Sequence, residues 1–128
     1  MWKYVTTGSD FEKRGGFSRV MHDEEWVFVS GTTGFDYSTM SISDDFATQV
    51  RQTWRNIEAA LTAAGSHLGE IVSFLIILTD RGDYPTLVEQ GTFTPHHPSG
   101  TLIIAQLLDP RMKIEIQVTA KREPAAGS

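Results

Sequence analysis

The run IVSFLIILT, residues 71 to 79, decides the fold. It is a continuous apolar stretch rich in isoleucine. Such a run reads as a strand that must be covered on both faces, because successive side chains point to opposite sides of a sheet. Two further segments share the sheet character. TLIIAQLL, residues 101 to 108, reads as another buried strand, and MKIEIQVTA, residues 112 to 120, alternates cleanly. Ile114, Ile116 and Val118 fall on one face of that strand, with Lys113, Glu115 and Gln117 on the other.

Working outward, the segment before residue 71 changes period. Phe46, Val50, Trp54, Ile57 and Leu61 recur at spacings of three and four, which predicts a helix over 44–64 with one apolar stripe. Ser43 is the expected N-cap, Asp44 and Asp45 suit the positive end of the helix dipole, and Gly65 provides the stop. After the central strand, RGDYPTLVEQ begins a shorter helix with Pro85 in its first turn. Towards the N-terminus, WKYVTT, FSRVMH and WVFVSG read as strands. GSDFEKRGG is expected to break the chain between the first two, DEE turns between the second and third, and SGTTG closes the third. FDYSTMSIS reads as a loop. The order β-β-β-α-β-α-β-β predicts a single α+β domain over 1–122, with a mixed sheet and two helices on one face, followed by a polar tail over 123–128. The other sheet face is too apolar for water, and a second copy of the chain is the economical cover.

Composition narrows the function classes. The chain has 128 residues, a net charge of −5 and no cysteine. One domain of this length buries a real core. An acidic chain without clustered Lys and Arg argues against a nucleic-acid surface. Lack of cysteine excludes disulfides, thiolate metal sites and a cysteine nucleophile, and fits a cytoplasmic setting. No apolar run approaches the roughly 20 residues that span a bilayer, and MWKYVTTGSDFEKRGG does not have the pattern of a signal peptide. SGTTG lacks the lysine and spacing of a phosphate loop, and Ser30 has no nearby His-Asp pair. Adjacent His96 and His97 diverge on an extended segment, while His22 and His67 are isolated, so no metal site is expected. A role at a pocket rim is left for His96 or His97, with loop exposure as the alternative. No cofactor is implied.

Five segments taken in order, GGFSRV, VFVSGTTG, TQVRQTWRNIEAALTAAGSHLGEIV, HPSGTLIIAQLLDP and KIEIQVTAKR, resemble the Rid family, the YjgF-type enamine and imine deaminases. The resemblance runs from Phe17 to Arg122. It implies a chorismate-mutase-like domain, a homotrimer whose sheets form a central barrel, and small-molecule clefts at the subunit interfaces. It also implies hydrolysis of reactive enamines or imines, with a substrate carboxylate held by an arginine in a Pro-x-Arg-Ser motif. Here that stretch reads Pro98-Ser99-Gly100-Thr101, so Gly100 stands in the arginine's place and the chain resembles an arginine-less subgroup.

The resemblance carries further expectations residue by residue. Glu115 matches the glutamate that positions the attacking water, Ser30 and Gly31 match a cleft-lining strand end, and Phe17 replaces a tyrosine. Arg19 is the candidate substitute clamp for a carboxylated metabolite, or else a charged strand residue lying over apolar surface. Gly100 and Thr101 complete the expected substrate-binding set. Glu115 is either one member of a solvated polar row or a desolvated acid–base group. Two functions remain open at this level: a hydrolase acting on C–N bonds, or a non-catalytic, metabolite-binding or regulatory trimer.

Overall fold

In a computed structural model, residues 1–124 are described. The strands are β1 (Lys3–Val5), β2 (Val20–His22), β3 (Trp26–Thr33), β4 (Phe35–Asp36), β5 (Ser41–Ile42), β6 (Ile71–Leu78), β7 (Ser99–Ile104) and β8 (Ile114–Lys121). The helices are α1 (Asp10–Gly15), α2 (Phe46–Ala63) and α3 (Tyr84–Glu89), with 3-10 turns at Leu68–Glu70 and Arg81–Asp83. Six strands form one sheet in the order β1-β2-β3-β8-β6-β7. The 71–79 run is therefore an inner strand, antiparallel to β8 and parallel to β7. The chain crosses between these parallel neighbours through α3. β4 and β5 make a separate small hairpin where a loop is expected.

The helical stripe is realised as the main core contact. Val50, Ile57 and Leu61 are fully buried on α2, facing Val27, Val29, Ile114, Ile116 and Val118 of the sheet. Gln49 sits in the same interface with no exposure. Its amide donates to Ser43 O at 2.7 Å and Arg111 O at 2.9 Å, and its carbonyl accepts from Lys113 N–H at 2.9 Å. A buried amide with three partners clips α2 to the start of β8. Gly34 makes room for it: a Cβ there would lie 2.8 Å from Gln49 Cα.

Four further expectations change. Asp45, not Ser43, caps α2, its carboxylate accepting from Thr48 N–H at 2.9 Å, while Ser43 Oγ accepts from Asp45 N–H. GSDFEKRGG is not a break but α1, started by Ser9, whose Oγ accepts from Glu12 N–H. The Ser-x-x-Glu spacing is a capping signature, and Gly16 ends the helix at φ 71°. TLIIAQLL forms a strand only to Ile104 and is not buried within one chain. It is the edge strand, and Leu102, Ile103 and Ile104 are 36%, 41% and 43% exposed. Finally, of the tail expected over 123–128, Glu123 is held by its N–H to Glu70 at 2.6 Å, and residues 125–128 lie outside the described residues.

Both helix-bearing and open faces can be followed through the strand register. Val29, Val118, Phe74 and Gly100 lie in line on the helix side, and Met21, Phe28 and Thr119 on the other. The open side also carries Glu115, Ile77 and Ile103 in one row. Tyr4, Met21 and Phe28 are 69%, 40% and 42% exposed there. No helix among the described residues is long and apolar enough to cross a membrane.

Candidate active site

The pairing of β3 with β8 is interrupted at one place. Val29 pairs with Val118 and Thr32 with Ile116, so Ser30 and Gly31 together oppose Gln117. This bulge re-aims the backbone beside Glu115, as bulges do next to functional sites. A Cβ on Gly31 would collide with the Glu115 carboxylate and lie 2.9 Å from its Cδ. Glycine is thus required for the carboxylate to rest on the strand. Burial pushes the Glu115 carboxyl above its usual range, and the nearby Arg19 charge partly opposes the rise. Among the described residues, no group donates a hydrogen bond to it. The polar-row reading of Glu115 is replaced by a half-buried, desolvated acid.

Arg19 lies alongside. Its Nη1 donates to Gly31 O at 2.6 Å and Thr32 Oγ1 at 3.1 Å, and its Nη2 to Glu12 at 3.3 Å. The guanidinium is stacked 4.6 Å from the Tyr37 ring centroid and 5.7 Å from that of Phe17. Arg19 is 2% exposed. It therefore does not serve as a carboxylate clamp: its charge is enclosed by the protein's own acceptors, and Nε is a buried donor with no partner among the described residues. Glu12 is the main counter-charge. Burial raises its pKa, yet hydrogen bonds from the Thr7, Thr6 and Ser9 hydroxyls and from Thr7 N–H override this and hold it at about 2. Neither Glu12 nor Tyr37 is visible as a site residue in the sequence. The capping spacing of Ser9 and Glu12 is the one signal that could have marked Glu12.

Ser30 sits at the start of the bulge with both its donors engaged. Its N–H bonds to Arg19 O at 3.0 Å and its hydroxyl donates to Ser18 O at 2.7 Å, so neither donor is free for a ligand. Phe17 is 40% exposed and forms an aromatic lip over Arg19.

Gly100 and Thr101 do not join this group within one chain. Gly100 pairs with Phe74, whereas Glu115 lies opposite Ile77, three residues further along β6. Alternation puts Gly100 on the helix side and Glu115 on the open side. Beside Gly100 is a cavity of about 540 Å³ reaching from Trp54 and Phe93 to Leu102, with Thr101 and both His96 and His97 on its boundary. A Cβ on Gly100 would collide with the Phe74 ring, 2.9 Å from Cδ1. Phe74 occupies the space that any side chain at 100 would need. Gly100 thus brings no cation to the place where the resemblance puts an arginine, and the Arg19 guanidinium is spent on the chain's own acceptors.

The histidines have structural partners. His96 Nε2 bonds to Ile71 O at 2.7 Å, pinning the loop before β7. His22 Nδ1 meets Arg122 Nη2 at 2.9 Å, and burial together with the Arg122 and Lys3 charges lowers its pKa. His67 is not isolated: with Glu70 and Glu123 it forms the one group among the described residues with three donor atoms within 4.8 Å of one another. A metal does not fit there. His67 Nδ1 accepts from Gly69 N–H, which puts the proton on Nε2, and both Glu70 oxygens accept hydrogen bonds from Ser66 and Glu123.

These features define an α+β small-molecule-site domain, with one carboxylic acid desolvated over a glycine bulge and a separate uncharged cavity at the sheet edge. The chain belongs to the Rid/YjgF family: the family model described as Endoribonuclease L-PSP matches residues 7–122. It is 31% identical over 101 residues to the 2-iminobutanoate/2-iminopropanoate deaminase of Salmonella typhimurium, covering 75% of this chain and 79% of that protein. Among solved structures, it superimposes on Rv2704 of Mycobacterium tuberculosis, of the YjgF/YER057c/UK114 family, with a TM-score of 0.83 and 30% identity, covering 95% of this chain and all of that one. Escherichia coli TdcF with bound serine matches with a TM-score of 0.76 and 25% identity, covering 84% of this chain and 88% of TdcF.

Proposed function

We propose that the chain is a Rid-type hydrolase of a small enamine or imine, acting as a cytoplasmic homotrimer of the arginine-less kind. The observation that carries this reading is the Glu115 carboxyl, desolvated, raised in pKa and without a hydrogen-bond donor among the described residues, beside Gly31. Such a group holds its proton to higher pH than an ordinary carboxyl and is suited to acid–base work. In the reaction, Glu115 takes a proton from water as the oxygen bonds to the imine carbon. It returns that proton to nitrogen, giving the carbinolamine; a second transfer through Glu115 then carries the hydroxyl proton to nitrogen as the C–N bond breaks, leaving a carbonyl and an amine. Arg19 keeps the carboxylate form accessible through its charge and does not touch the substrate. The apolar open face supports the trimer, since Tyr4, Met21, Phe28 and Ile103 need a cover that one chain lacks. Closing three sheets on one another also gives the Glu115 and Gly100 groups a route to a shared cleft, each from a different copy.

The alternative, a non-catalytic metabolite binder, is favoured by the Phe74 ring in place of a side chain at 100. Two imines separate the readings. One is 2-iminopropanoate generated by an amino-acid oxidase, and the other is the uncharged aldimine of benzaldehyde and methylamine. The hydrolase reading expects little acceleration with the first, clear acceleration with the second, and loss of it in Glu115→Gln. Acceleration that survives Glu115→Gln, or none with either imine, sinks it.

A further inference from the structure

We propose that the cavity beside β7 binds an uncharged, planar, largely apolar molecule, in place of the imino-acid carboxylates named for the Salmonella relative. As a substrate class this rests on the hydrolase reading above; as a binding site it stands without it. Three observations carry it.

The first is charge. No Asp, Glu, Lys or Arg is among the residues lining the cavity. An anion entering would give up water with no cation to replace it, whereas a neutral ring would not. The second is shape. Trp54 and Phe93 stack with centroids 5.4 Å apart and planes at 11°, giving the cavity a flat aromatic wall. Across from it, Phe74 lies close against the backbone of Gly100, which is possible only because residue 100 has no Cβ. A volume of about 540 Å³ accommodates a one- or two-ring molecule. The third is the supply of hydrogen-bonding groups. Tyr84, Thr92 and His97 border the cavity, and their side chains make no hydrogen bond among the described residues. They fit an amide, hydroxyl or carbonyl and offer no fixed positive charge.

Benzamide and benzoate are matched in shape and differ in charge, so they make the test. Titrations of the full chain by calorimetry should give benzamide an affinity higher by on the order of tenfold or more. The double variant Phe74→Ala/Gly100→Arg, which clears the ring before adding a cation, should reverse that preference. Val88→Lys, at a rim position that is 59% exposed, adds a cation without disturbing the core and should narrow it if the double variant does not fold. Equal or tighter binding of benzoate by the unaltered protein overturns the proposal. So does failure of both probes to bind, including the case in which benzamide binds only after Ile103→Glu separates the copies, since a neighbouring copy would then fill the cavity. Loss of imine hydrolysis with the benzamide preference intact refutes only the reaction. Intact hydrolysis without the preference refutes only the ligand class.

Discussion

Replacing Glu12 by glutamine tests whether the buried Glu12–Arg19 pair organises the site. Glu12 is 3% exposed and receives hydrogen bonds from Thr6, Thr7 and Ser9 as well as the Arg19 ion pair. Its carboxyl falls from 4.5 to about 2 in the folded chain. At 1.36 kcal/mol per pKa unit, that drop corresponds to about 3 kcal/mol of stability at pH 7. Because the folded value is depressed, the contribution is present above the unfolded value of 4.5 and is lost as pH falls towards about 2. At pH 3 about 1.4 kcal/mol of it should remain. Glutamine also leaves the Arg19 charge buried without a counter-ion, which costs about 3–5 kcal/mol at neutral pH when one partner of such a pair is removed. Urea unfolding of both proteins at fixed protomer concentration should show Glu12→Gln destabilised by about 3–5 kcal/mol at pH 7. The gap should narrow steadily between pH 4.5 and 2.5. A gap below about 1 kcal/mol at pH 7, the level of an exposed ion pair, would refute the reasoning. So would a gap that does not change with pH.

Glu115→Gln should abolish imine hydrolysis and modestly raise the melting temperature at pH 7. Its raised folded pKa means that ionising it costs stability, absent below pH 4.5 and growing as pH rises through the folded value. For the same reason, the acid limb of the hydrolysis profile should lie above the ordinary glutamate range, as a stopped-flow pH series would show. Gly31→Ala displaces a flexible carboxylate rather than backbone, so it should cost only about 1 kcal/mol while removing activity. Gly34→Ala, which meets Gln49 backbone atoms at 2.8 and 2.9 Å, should destabilise by about 3 kcal/mol in the same unfolding assay. Ile103→Glu should turn a trimer into smaller species in sedimentation; an unchanged mass would remove β7 from the proposed interface.

The parts of the fold that were legible in the sequence are those where one physical rule acts alone. The stripe from Phe46 to Leu61 and the alternation from Ile114 to Val118 appear as expected because each faces a single core. α1 was missed because its six residues carry no apolar period, and only the Ser9–Glu12 cap announces it. β7 misled because hydrophobicity reports the need for cover, not where the cover comes from: in one chain its apolar residues are exposed. The site followed the same logic. Glu115 and Gly31 enter the sequence reading only through the family resemblance; that they touch is visible only in the structure, where a Cβ at 31 would meet the carboxylate. The Arg19 pairing is not legible, because its counter-ion lies seven residues away in a helix the pattern conceals.

The fit of Phe74 against Gly100 ties those two positions to one another. A side chain introduced at 100 has to turn the ring aside, and the cavity that the ring borders is the space it would turn into. A saturation scan of position 100 should therefore read out lost cavity volume as well as lost packing, and pairing each substitution with Phe74→Ala separates the two. Placing a cation on this strand while keeping the cavity open is a two-position change.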